Sequence, residues 1–175
     1  MRISVAKAME HLEGRGLLSC FRRPWPEQII PYVEGLIGRP LPQDLVDLYR
    51  EGIAEIVEYA AIVPVWNDRV GWRTPESLVT ELLHVDAIPL FYDGCGSKFA
   101  LDLTPGVETP AVYFFDHDDR SGFPSWAAGS SLGAFLLLAA DHDRAIEEGW
   151  PEKWELAIDP DIDKCPRARA IWAAG

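Results

Sequence analysis

Ile88-Pro89-Leu90-Phe91-Tyr92-Asp93-Gly94-Cys95-Gly96-Ser97-Lys98-Phe99-Ala100-Leu101-Asp102-Leu103 is the stretch on which the fold turns. Ile88 to Tyr92 reads as a strand. Pro89 points to an edge or a bulge, because proline has no N–H to give to a ladder. Asp93 to Ser97 is a five-residue turn rich in groups that tolerate positive φ. Lys98 to Leu103 alternates, with Phe99, Leu101 and Leu103 on one face and Lys98 and Asp102 on the other. Two strands about a short turn make a hairpin.

Toward the C-terminus, Thr104 to Pro110 holds two prolines and a glycine and reads as a loop. Ala111 to Asp116 is a second full strand, apolar on both faces over most of its length, which predicts a central position. Residues 116–129 read as a polar loop, long enough to raise a question of function. Ser130 or Ser131 caps a helix carrying Leu132, Phe135, Leu136 and Ala139 on one stripe. An acidic stretch follows, then a short tail helix ending near Trp172. Trp150 and Trp154, four apart, are placed to share a helix face.

Toward the N-terminus the period is helical. Val5, Met9 and Leu12 predict a helix over 2–13, ended by Gly14 and Gly16. A second helix falls between Pro26 and Ile37, with Ile29 or Ile30, Val33, Leu36 and Ile37 inward and Gly38 as its C-terminal cap. Pro31 either begins that helix or kinks it. A third starts at Pro42, has Asp44 in its first turn, turns Leu45, Leu48 and Tyr49 inward and stops at Gly52. Residues 53–66 are ambiguous, although Ile62 to Trp66 is β-branched enough for a strand. Thr74 caps a further helix with Pro75 at its first position and Leu78, Leu82 and Leu83 on its apolar side.

Composition bounds the function. The 175 residues are 48% hydrophobic, 25% charged and 11% aromatic, the balance of a folded chain able to build a core without disulfides or metal. The formal net charge is -12, which argues against nucleic acid, held mainly by Lys and Arg, and against an anionic membrane surface. The charge is uneven. Residues 1–24 hold five basic side chains against two acidic ones. Residues 86–119 hold seven acids against Lys98 alone, and residues 141–163 hold nine against Arg144 and Lys153. Such acidity serves solubility or a basic protein partner. Glu10, His11 and Glu13 interrupt any secretory apolar run, and the apolar block Leu132 to Ala140 is too short to span a membrane. Cys20, Cys95 and Cys165 form no CxxC pair, so neither a zinc site nor a disulfide framework is indicated, and a reducing cytoplasm is expected. Nothing divides the chain, which reads as one domain over 1–175.

Three groups of residues raise chemical questions. Asp116, His117, Asp118 and Asp119 offer oxygen ligands for Mg, Ca or Mn, or a general base for a metal-dependent hydrolase. Consecutive side chains leaving a strand diverge, however, and the EF-hand spacing is absent, so a solvated or partner-facing acidic loop is the plainer reading. Cys95 between two glycines resembles a nucleophile on a tight turn, with His117 or His84 as its base. The nucleophile elbow needs a helix after the turn, and here a strand follows. The glycine turn lacks the GxxxxGK[ST] of a phosphate loop and opens no helix. No metal and no cofactor is expected. Trp126, near a turn, either covers the sheet or anchors an interface.

Five motifs in order resemble the SUKH superfamily, which includes fungal cell-wall synthesis regulators and many bacterial immunity proteins. Leu41-Pro42-Gln43-Asp44-Leu45 with Leu48-Tyr49 resembles its LPxDL helix. Ile88-Pro89-Leu90 followed by Asp93-Gly94-Cys95-Gly96 resembles its strand entering a glycine turn. Phe99 to Leu103 resembles its LDL strand. Pro110-Ala111-Val112-Tyr113-Phe114-Phe115-Asp116-His117-Asp118 resembles its PVYxWDHD strand, with Phe115 in place of tryptophan. Ser131-Leu132-Gly133-Ala134-Phe135-Leu136 resembles its SFxxFL helix, with Leu132 in place of phenylalanine. The resemblance covers about residues 24–140. Segment 53–73 is longer than the family's usual stop, and 1–23 and 141–175 are an extra N-terminal helix and an acidic extension without a named counterpart.

The resemblance implies an α+β fold, a mainly antiparallel sheet with N-terminal helices and a closing C-terminal helix packed on it. It also implies a non-enzymatic, cytoplasmic binding protein, an immunity protein that neutralises a polymorphic or contact-dependent toxin such as a nuclease. A regulatory scaffold, as in the fungal branch, is the further alternative, though the chain shows no disordered arm. The expected partner is a basic toxin domain, met by Asp93, Asp116, Asp118 and Asp119 at the loop end of the sheet with Trp126 nearby. The expected complex weakens as salt screens those acids.

Overall fold

A computed structural model describes residues 3–17, 27–52, 63–64, 81–119, 121–166 and 169–170. In chain order the helices are α1 (Val5–Gly14), α2 (Ile29–Ile37), α3 (Gln43–Glu51), α4 (Leu132–Glu147) and α5 (Glu155–Ile158). The strands are β1 (Val63–Pro64), β2 (Ala87–Tyr92), β3 (Lys98–Asp102), β4 (Val112–Phe115), β5 (Trp126–Gly129) and β6 (Arg169–Ala170). The strands form one sheet in sequence order, antiparallel throughout except for the parallel pair β5–β6. The architecture is α+β, helices leading and α4 closing the sheet.

The hairpin β2–β3 forms where its alternation places it. Ile88 faces Leu101, and the register shifts between Pro89 and Phe91, so Pro89 marks a bulge and not an edge. Ladder partners put Phe91, Phe99, Phe114 and Trp126 on one face. Phe135 of α4 covers that face, its ring centroid 5.1 Å from Phe99 and 5.8 Å from Phe91. Tilted aromatic pairs at this spacing add a specific preference to the area they bury.

The helices follow their sequence signals closely. Ser4 caps α1, its hydroxyl accepting the Lys7 N–H, so the helix begins at Val5 and not at residue 2. Val5, Met9 and Leu12 are buried. Pro31 sits in the first turn of α2, where its missing N–H costs nothing. Gly38 closes that helix at φ 70. Leu36 does not turn inward and is half exposed; Ile29 and Val33 are buried, and Ile30 and Ile37 pack against the core partly buried. Helix α3 starts after Pro42 and ends at Gly52, with Leu45, Leu48 and Tyr49 buried.

Four expectations need correction. Residues 116–129 are not all loop, because Trp126–Gly129 is strand β5, paired with β4. Its small residues carry little strand propensity, but packing requires them: a Cβ on Gly129 would lie 2.7 Å from the Phe135 backbone nitrogen. Asp102 does not face solvent. It is buried, its Oδ1 accepting the Thr104 N–H at 2.9 Å and the Thr104 hydroxyl at 2.6 Å. The tail is the short helix α5, a 3-10 turn at Ile162–Lys164 and β6, not one helix; residue 172 lies outside the described residues. Trp150 and Trp154 do meet edge to face at 5.6 Å, but across the turn between α4 and α5. Of the strand expected over 62–66, Val63 and Pro64 pair with Tyr92 and Phe91. The helix expected from Thr74 lies largely outside the described residues, and Leu83 begins a 3-10 turn.

Helix α1 packs on α4 and α3. The Arg15 guanidinium binds the Asp141 carboxylate and donates to the Ala140 carbonyl at 2.9 Å. At the other end of α1, Gly133 admits the Ile3 carbonyl so closely that a Cβ would lie 2.2 Å from its oxygen.

Candidate functional site

The loop end of the sheet is built from two connections, the β2–β3 turn and the β4–β5 loop. Lys98 faces Phe115 across the ladder, so both connections emerge side by side. Asp93 organises the first. Its Oδ1 accepts the N–H groups of Cys95, Gly96 and Ser97 at 2.8, 3.0 and 3.0 Å. Gly94 and Gly96 take φ of 80 and 114, which side-chain-bearing residues rarely adopt. A phosphate has no place here, because the three amides that would cradle it already serve the chain's own carboxylate.

Ser97 joins the two connections. It is buried, its hydroxyl accepts the His117 N–H at 3.2 Å, and it meets His117 Nδ1 at 3.0 Å. Cys95 is exposed at the hairpin tip and is followed by a strand, so elbow geometry is absent.

The β4–β5 loop is a relay of short side chain-to-backbone bonds. Asp116 Oδ1 accepts the Asp118 N–H at 2.9 Å, Asp119 Oδ1 accepts the Ser121 N–H at 2.9 Å, and Ser121 Oγ accepts the Phe123 N–H at 3.1 Å. The Ser125 hydroxyl donates to Asp119 Oδ2 at 3.4 Å, and the Ser125 N–H donates to the Phe114 carbonyl at 2.9 Å, returning the chain to the sheet. These are the local bonds Asp and Ser favour in turns. The Ser121 N–H, then the Ser121 and Ser125 hydroxyls, hold the Asp119 carboxyl below its ordinary range, so its charge persists into acid.

The sequence-predicted residues therefore gather at one end. His117 Nε2 lies 3.4 Å from Asp118 Oδ1, and Nδ1 lies 3.8 Å from Asp116 Oδ1. One ligand atom from each of Asp116, His117 and Asp118 falls within 4.8 Å of the others. Asp93 and Asp119 are committed to their own turns and hold the surface in shape. Trp126 is half-buried at the start of β5, opposite Phe114, which lies 5.1 Å from Phe99. The residue that sequence reasoning missed is Phe123, 72% exposed at the loop tip. A lone phenylalanine in a polar segment was its only signal.

A cleft of about 210 Å³ lies at the other end of β5, lined by Ile3, Ser130, Asp159 and Asp161 among others. Its acids are in structural use. Asp159 is buried and accepts the Ser130 N–H at 2.6 Å, and Asp161 pairs with Lys164 at 2.6 Å.

A helix-flanked antiparallel meander that gathers its acids on turns at one end defines an α+β domain with a shaped, negatively charged loop surface. The chain belongs to the SMI1 / KNR4 family (SUKH-1), whose model matches residues 24–137. It is also 29% identical over 121 residues to matrilysin of Homo sapiens, a stretch covering 68% of this chain. The chain spans 42% of that relative's length. The family match ends inside α4 and leaves α1 outside, although α1 packs on that helix. Among the described residues no helix is long and apolar enough to cross a membrane.

Proposed function

We propose that this protein is an immunity protein, acting in the bacterial cytoplasm by binding a basic toxin domain, of nuclease class, and blocking it without chemistry of its own. Family membership supports the class. The observation that carries the reading is the loop end, where Asp116, Asp118 and Asp119 project from one shaped surface beside the half-buried Trp126. Asp118, with 86% of its side chain exposed, has the freedom to meet a cation on a partner. Nuclease domains carry positive charge because their substrate is anionic, so complementary acids speed encounter by about 10–10³ fold at low salt. Nanomolar inhibition needs about -12 kcal/mol, which aromatic burial supplies more readily than rim charges. The test is capture of the product of the adjacent reading frame by the purified protein. A stoichiometric complex that suppresses that product's activity is expected, and failure to form one overturns the proposal.

A second reading is favoured by the compactness of Asp116, His117 and Asp118. Here the same loop holds a divalent cation for hydrolysis. Calorimetric titration with Mg, Mn, Ca and Zn separates the two, since a stoichiometric micromolar site belongs only to this second reading.

A further inference from the structure

We infer that Phe123 is the anchor of the loop surface, entering an apolar pocket framed by lysine and arginine on a protein partner. This rests on the binding role proposed above and adds the residue that supplies most of the affinity. Among the described residues Phe123 is the most exposed large hydrophobic side chain, at 72%, against 67% for Ile146 and 50% for Leu36. An aromatic ring left in water forgoes the burial that stabilises core phenylalanines.

The ring is not on a loose tip. Gly122 turns the chain at φ 73, the Phe123 N–H is held by Ser121 Oγ, and Pro124 behind it is buried. Asp119 grips both Ser121 and Ser125 on either side. A side chain presented on a braced loop loses little entropy on binding. An aromatic anchor beside exposed carboxylates is the arrangement of an interface hot spot with a charged rim.

Charge selects the occupant. Asp116, Asp118 and Asp119 belong to the same loop as the ring and outnumber the one basic residue in its sequence, Arg120, while Lys98, which faces Phe115 across the ladder, is committed to Glu81 at 3.1 Å. A second copy of a chain at net charge -12 would bring like charges together at this surface, and an anionic bilayer would be repelled. A basic protein surface meets both the ring and its surround.

The test measures binding kinetics to the purified product of the adjacent reading frame, at about 50 mM and about 300 mM salt. Phe123→Ala is expected to weaken binding about 30-fold or more, mostly by faster dissociation and equally at both salts. Phe123→Trp is expected to retain affinity. The double variant Asp116→Asn, Asp118→Asn, which keeps the Asx geometry, is expected to slow association chiefly at low salt. Because Phe123 is exposed, its variants should melt with the wild type, which separates lost binding from lost fold. If the wild type binds and Phe123→Ala binds equally well, the inference fails while the proposed function stands. If the wild type does not bind, both fail. A wild-type dimer that Phe123→Ala disperses would instead assign the ring to self-association and also overturn the inference.

Discussion

Asp93 shows how one side chain sets a surface. Three amide donors converge on a single carboxylate oxygen, and the turn they define positions Ser97 to hold His117. Asp93→Ala leaves those donors to water and the two glycines without a template, which should cost about 1–3 kcal/mol in chemical denaturation. Asp93→Asn, with an acceptor retained, should cost less. Equal losses would mean that charge, not turn geometry, is what Asp93 contributes. The cysteines offer a second contrast. Burial first, then the charges of Asp159, Asp161, Asp102 and Asp163, push the Cys165 thiol up to about 12. Cys95 is exposed. Iodoacetamide at pH 8 followed by peptide mapping should therefore label Cys95 and spare Cys165 until the chain is denatured. Equal native labelling would contradict the described packing of the C-terminal segment. The sequence made Asp93 legible as a turn residue because Asp and Gly act locally. Phe123 was not legible, since its significance lies in what fails to cover it.

Two glycines test the packing of the elements with opposite signs. Gly35 lies in α2 with nothing within 4 Å of a Cβ placed on it, so Gly35→Ala should stabilise by about 0.5–1 kcal/mol through lost backbone entropy in the unfolded chain. Gly133 lies in the first turn of α4 against the Ile3 carbonyl. Gly133→Ala should destabilise by about 1–3 kcal/mol, because α1 or α4 must shift. Urea titration of both variants checks this, and a stabilising Gly133→Ala would remove the close approach of the N-terminal segment. The same packing explains what the pattern hid. Strand β5 reads Trp126-Ala127-Ala128-Gly129, small where strands favour β-branched residues, because α4 lies close upon it. Asp102 reads as solvent-facing by alternation, yet the sheet is covered there and the carboxylate turns back on Thr104. Leu36 fits the helical stripe of α2 by spacing but is half exposed, while its neighbour Ile37 packs against the core. Periodicity reports an element's own faces, not which neighbour reaches them.

At the scale of the molecule, the acidic net charge gains a location. The β4–β5 loop carries three carboxylates against one arginine, together with an exposed ring, while the acids of the α4–α5 region are partly spent on internal pairs. Arg144 binds Glu148 at 2.9 Å, and Trp150 Nε1–H reaches the same carboxylate at 2.8 Å. The helix–meander–helix order and its motifs were legible because each element carries its own local signal. The docking of α1 onto α4 was not, because Arg15 and Asp141 are 126 residues apart in the chain and meet only once the core has formed. The central proposal, a protein that neutralises a basic toxin through this loop end, is tested most directly by calorimetric titration with the product of the adjacent reading frame, with that product's activity followed in the same mixtures. A one-to-one complex of about nanomolar affinity, weaker at higher salt and abolishing the activity in proportion to occupancy, is the predicted result. No heat of binding and an unchanged activity at equimolar protein would contradict it.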